Sequence, residues 1–113
     1  MEFSKHEGFL CASRITGPRH NHLEVIVSDA SSQEAVFEFL PAIGGCSHAP
    51  LDQTRIVDSV MEGIALTNVR LGSKYAVERI RVPLNDTPPE LVYGVLAAAI
   101  VERLHAGKSF GPE

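Results

Sequence analysis

The sequence predicts an α+β domain, a two-layer sandwich with a four-stranded sheet and two helices on one face, in the order β-β-β-α-β-α. Three observations carry that reading. Turn residues punctuate β-branched and aromatic runs over roughly the first forty positions. An apolar period of four begins after Pro50. Thr87-Pro88-Pro89-Glu90 then has the form of a helix start. The 113 residues suit a single domain over positions 1–113, with its core between 8 and 106.

Gly8 to Ile15 has moderate apolar content and no helical period, and reads as the first strand. Thr16 to Asn21 is turn chemistry: Gly17 frees φ, Pro18 fixes it, and Asn21 tolerates left-handed conformations. Leu23 to Val27 reads as the second strand, rich in β-branched residues. Ser28 to Ser32 is a further turn. Ala35 to Leu40 is the third strand, alternating so that Phe37 and Phe39 share an inward face. These three strands read as an antiparallel meander.

Pro41 to Gly45 ends that segment. Ile56, Val60 and Ile64 then recur four apart, with Val57 and Met61 on adjoining rows, which predicts a helix over 51–65. Asp52 suits the positive end of its dipole. Thr67 to Lys74 reads as a connection and Tyr75 to Leu84 as the fourth strand, where Pro83 implies an edge or terminal position. Thr87 and Glu90 form a capping box with Pro88 at the first helical position. This predicts a helix over 88–106 with Leu91, Val95, Ala98, Ala99 and Val101 or Glu102 on its apolar face, stopped by Gly107. Gly94 and Ala97 to Ala99 would let this helix sit close to its neighbour, and the tail over 107–113 is expected to fray.

Composition excludes several classes of function. A net charge of −4, with ten scattered Lys and Arg, lacks the basic face that non-specific nucleic-acid binding requires. No stretch is apolar for long enough to span a bilayer and the start carries no signal-like region, so a cytoplasmic protein with no membrane role is expected. In that compartment Cys11 and Cys46 read as reduced, buried thiols.

The residues Arg14, Gly17, Arg19 and Leu23 to Val27, the pair Gly44-Gly45, and the elements at 56–64, 77–84 and 91–104 resemble domain IV of translation elongation factor G. The resemblance covers about residues 8 to 106, good in spacing and sparse in identities. It implies the fold of the second domain of ribosomal protein S-five, with a left-handed β-α-β crossover. It also implies ribosome or RNA contact at the hairpin end, where Arg14, Gly17, Arg19, His20, Asn21 and His22 are the binding candidates. The chain departs from the family at its second tip loop, shortened here to Asn85-Asp86-Thr87 without the family's histidine. No phosphate-binding loop is present, so no nucleotide is expected.

The expected function is therefore a stand-alone, non-catalytic binding module without cofactor, metal or catalytic residues. The alternative is a protein-interaction or homo-oligomerisation module that kept the fold without a translational role. A third class is a small enzyme or metal-binding protein using His20, His22 and Cys46. His20 and His22 would share one face of a strand, yet no Cys, Asp or Glu stands at an evident companion spacing. Cys46 with His48 is the local Cys/His couple. Asp52, Asp58 and Glu62 read as a solvated helix face. Loop polarity alone would also account for the Arg19 to His22 cluster.

Overall fold

The computed structural model of the chain describes residues 1–17, 19–28, 35–42 and 50–111. Pro18, residues 29–32 of the turn expected over 28–32, Gly44-Gly45, Cys46 and His48 lie outside the described residues, while Ser28 ends a strand.

The described elements are β1 (Glu2–His6), β2 (Phe9–Thr16), β3 (Arg19–Ser28), β4 (Val36–Leu40), α1 (Gln53–Leu71), β5 (Ala76–Pro83) and α2 (Val92–His105). They form an α+β domain with one five-stranded mixed sheet in the order β1-β2-β3-β5-β4. This corrects the expected four strands and the β-β-β-α-β-α order, because β1 precedes the first expected strand. Its signal is Glu7-Gly8, a two-residue turn with φ of 51° and 84° that lets His6 face Phe9.

The meander is also relocated. β1, β2 and β3 are the antiparallel run, while β4 pairs parallel with β5 at the far edge. β5 therefore fills the slot beside β3, against which it runs antiparallel with a register shift between Ile26 and Val27. Pro83 ends β5 within the sheet, the terminal position that its missing N–H allows. β4 and β5 are joined through α1 as a parallel β-α-β unit, which no local hairpin signal could disclose.

Both helices cover one face of the sheet. Leu23, Val25, Val77, Ile80 and Val82 point from the strands to meet Ile56, Val60 and Ile64 of α1 and Tyr93, Leu96, Ala97 and Ile100 of α2. α1 begins as expected, with Asp52 as its N-cap accepting from the Arg55 amide at 3.0 Å. It runs six residues past Ala65 and stops at Gly72, whose φ of 67° supplies the left-handed cap. Thr67 lies within this extension, its hydroxyl donating to the Gly63 carbonyl at 2.7 Å.

α2 departs from expectation at its start and on its face. The capping box does not form: Thr87 Oγ1 accepts from the His20 amide at 3.0 Å, and the Glu90 carboxylate accepts from the Asp52 amide at 2.7 Å. The peptide between Pro88 and Pro89 is cis, and the helix begins at Val92. Its buried residues are Tyr93, Gly94, Leu96, Ala97, Ile100 and Val101, whereas Leu91 and Val95 stand outward at 74% and 52% exposure. A helix that is apolar all round carries no phase to say which stripe turns inward.

The helices cross at Gly63 and Gly94. The Gly94 amide donates to Ser59 Oγ at 2.9 Å, and the Ser59 hydroxyl donates to the Leu91 carbonyl at 3.1 Å. A Cβ on Gly63 would lie 2.3 Å from the Gly94 carbonyl oxygen, and one on Gly94 would lie 2.6 Å from the Ser59 oxygen. Backbone touches backbone there, as the small residues near Gly94 led one to expect.

Residues 107–111, expected to fray, return along β1. Phe110 meets Phe3 edge-on at 6.0 Å, Arg103 lies 4.6 Å over the Phe3 ring, and the Gly111 amide donates to the Phe3 carbonyl at 3.3 Å.

The crossing makes a prediction. Gly63→Ala gains about 1 kcal/mol of helix propensity, but it must push two backbones apart. The expected net loss is about 2 kcal/mol, or roughly a 10 °C fall in melting temperature. A circular-dichroism melt equal to wild type would contradict the close crossing.

Candidate functional site

The sheet face that no helix covers carries the residues out of phase with the core. Register places Cys11 beside Glu24, Ser13 beside His22, Ser4 beside Cys11, and Glu24 beside Arg81, so four strands bring these side chains to one patch. At its centre the Glu24 carboxylate is 2% exposed. A buried charge requires partners. Arg81 donates Nε–H and Nη2–H to Oε1 at 2.9 and 2.5 Å. His6 Nδ1 and His22 Nε2 lie 2.9 and 2.8 Å from Oε2. Phe9 closes the side, its ring centroid 3.7 Å from the Arg81 guanidinium carbon.

The patch contains three further details of chemistry. The Cys11 thiol is fully buried, donates to the Phe9 carbonyl at 3.6 Å, and is pushed up to about 12 by burial and then by the Glu24 charge. Burial also raises Glu24, but hydrogen bonds from His22, His6 and Arg81 outweigh it and hold the carboxyl below its ordinary value. Ser13 Oγ lies 2.5 Å from His22 Nδ1. Among the described residues, Cys11, His22 and Glu24 bring sulfur, nitrogen and oxygen ligand atoms within 4.8 Å of one another.

A second polar centre lies at the end of the sheet. Asp86 follows β5 and is 1% exposed. Its Oδ2 accepts from the His22 amide and from Tyr93 Oη, both at 2.7 Å, while Oδ1 is 3.2 Å from His20 Nδ1. Asn21 donates Nδ2–H to the Thr87 carbonyl at 2.7 Å and to Tyr93 Oη at 3.3 Å. Burial raises Asp86 despite these bonds, and burial beside Asp86 raises Tyr93. The centre clamps β3 to the start of α2. It reads as a structural joint.

The expected binding residues therefore separate. Arg14, Gly17 and Arg19 are exposed at the end of the β2–β3 hairpin, where Gly17 takes a φ of 63°. His20, Asn21 and His22 belong to β3 and are tied to Asp86, Thr87, Tyr93 and Glu24. The expected turn over 16–21 is thus shorter, since pairing continues to Thr16 opposite Arg19. His20 and His22 do share a strand face, and the companion carboxylate is Glu24, two residues on. That i, i+2 spacing was legible; Cys11, His6 and Arg81 required the strand register.

The outer surface of the helix pair carries a different feature. A groove of about 640 Å³ lies between α1 and α2, lined by Glu62, Leu66 and Arg70 on one side and Leu91, Val95 and Glu102 on the other. Asp58 and Glu62 are exposed on α1, as expected.

The Glu24 patch gives a signed prediction. Its folded-state pKa lies below the unfolded value, so its contribution is complete above the ordinary carboxylate range and is lost as pH falls through the folded value. Asp86, raised by burial, contributes in the opposite sense: its contribution is complete below its unfolded value and is lost as pH rises through the folded one. Glu24→Gln leaves the buried Arg81 with only the exposed Glu7 carboxylate, 3.5 Å away, as counter-charge, an expected loss of about 3 kcal/mol, with a weaker decline in stability between about pH 7 and pH 3. Urea unfolding across that range is the measurement. A variant as stable as wild type at neutral pH would contradict the pairing. Comparison of the chain with protein-family models, with curated proteins and with solved structures returns no match.

Proposed function

We propose that this domain is a non-catalytic binding module that associates with a second copy of itself through the outer face of its helix pair. The observation that carries this reading is the apolar stripe left outward by both helices. Leu66 and Val69 stand on α1, Leu91 just before α2 and Val95 on it, between 52% and 83% exposed. A patch of such residues around a groove is unusual on a surface with no partner. α1 and α2 are about 28 and 21 Å long at about 1.5 Å per residue, and packed side by side they present a face of roughly 25 by 20 Å. That is the order of patch a standard dimer buries on each partner, about 800 Å² of accessible surface.

The charges around the groove favour a two-fold partner. Asp58, Glu62 and Glu90 outnumber Arg55 toward one end, while Arg70 lies toward the other, ion-paired with Glu102. An antiparallel second copy brings the acidic end of each groove to the Arg70 end of the other, the self-complementarity a two-fold interface needs.

A second reading keeps the kinship with domain IV of elongation factor G. Exposed Arg14 and Arg19 at a hairpin end favour it, as sites for phosphate contact on ribosome or RNA. Under that kinship the β4–α1–β5 crossover is left-handed.

Two measurements separate the readings. Sedimentation equilibrium is expected to show a dimer in the micromolar range, with Leu66→Asp and Val95→Asp each giving a folded monomer. A wild-type monomer throughout that range removes the dimer. For the second reading, cosedimentation with ribosomes at low salt is expected, weakening on Arg19→Ala and with added salt; its absence removes ribosome contact.

A further inference from the structure

We propose that the helix-free face of the sheet holds a divalent transition-metal ion of the zinc class, bound by Cys11, His22 and Glu24. The donor set is thiolate sulfur, imidazole nitrogen and carboxylate oxygen, the mixture that a borderline-soft ion takes in tetrahedral sites. The three ligand atoms already lie within 4.8 Å of one another. Zinc bond lengths place tetrahedral donors about 3.3 to 3.7 Å apart, so binding needs shifts of about an ångström or less. His6 Nδ1, 2.9 Å from the same Glu24 oxygen and 3.4 Å from Arg81 Nη2, lies outside that 4.8 Å group and is a further donor that a turn of the ring would bring in. Its ring is half exposed, which leaves an approach from solvent to an otherwise buried cluster.

The surrounding groups suit a metal site. With His22 bound through Nε2, its proton sits on Nδ1, and Ser13 Oγ 2.5 Å away accepts it. Arg81 holds Glu24 by Oε1 alone, leaving Oε2 to the ion. On binding, the Cys11 thiol proton leaves to solvent and the sulfur takes the metal bond. The neighbouring charges are then Glu24, the thiolate, Arg81 and the ion, a sum of +1.

The rival account is an ion-pair network complete in itself. Glu24, Arg81 and the two imidazoles satisfy that account. It gives the buried thiol beside the carboxylate no more than a bond to the Phe9 carbonyl at 3.6 Å. The metal uses the thiol together with the carboxylate and the imidazoles.

The test is titration of the full chain, stripped of metal by chelation, with Co²⁺ as probe and Zn²⁺ as competitor. The expected result is one Co²⁺ per chain with a near-ultraviolet sulfur-to-cobalt charge-transfer band, removed by Zn²⁺. Cys11→Ser is expected to abolish the band, Cys46→Ser to leave it, and His22→Ala to weaken affinity about tenfold or more. His22→Ala keeps the thiol in place, so it remains decisive where Cys11→Ser does not fold by circular dichroism. Wild-type protein without the band overturns the proposal. So does a band that His22→Ala leaves at full affinity, or one that persists in folded Cys11→Ser.

Discussion

A carboxylate buried in the middle of a sheet is the constraint around which these strands are arranged. Glu24 sits on the face where a polar residue would ordinarily meet solvent, yet it is buried, and the helices lie on the other side. Its charge is tolerable only because Arg81 stands directly opposite on β5 and imidazoles reach it from β1 and β3. A register slip by one residue would turn Glu24 toward Leu96 and Ile100 and leave Arg81 without its partner. The same pairing fixes β5 as the neighbour of β3. β4 lies at the edge beyond it, parallel to β5.

The two faces of the sheet thus solve different problems. On the helix side, burial of aliphatic residues and the backbone contact at Gly63 and Gly94 set the thickness of the domain. On the open side, polar groups are buried against one another with Phe9 and strand β1 as cover. Asp86 joins the two, since its carboxylate takes bonds from β3 and from Tyr93 of α2. Among the described residues, the outer helix groove and the hairpin end are opposed in chemistry, one largely apolar and one cationic.

Some of this was legible in the sequence and some was not. Ile56, Val60 and Ile64 declared α1 through their spacing, and Phe37 and Phe39 declared the inner face of β4. β1 was missed because Glu-Phe-Ser-Lys-His holds a single apolar residue, its burial supplied by the tail and its pairing by β2. Thr87-x-x-Glu90 imitates a capping box, but tertiary partners, the His20 and Asp52 amides, took both side chains. The buried stripe of α2 could not be phased, since nearly every position is apolar. The Glu24 patch was half visible as His22-x-Glu24. Its remaining members lie 11 or more residues away and meet only through strand order.

The return of Phe110 and Gly111 to Phe3 unites the first strand with the last described residues. β1 is an edge strand, and its outer carbonyl at Phe3 is occupied by this segment rather than left as a template for another chain. The two segments consequently brace one another through a ring pair, a cation–π contact and one backbone bond. Loss of residues 107–111 would bare that edge of β1, the strand that carries the His6 ring to Glu24.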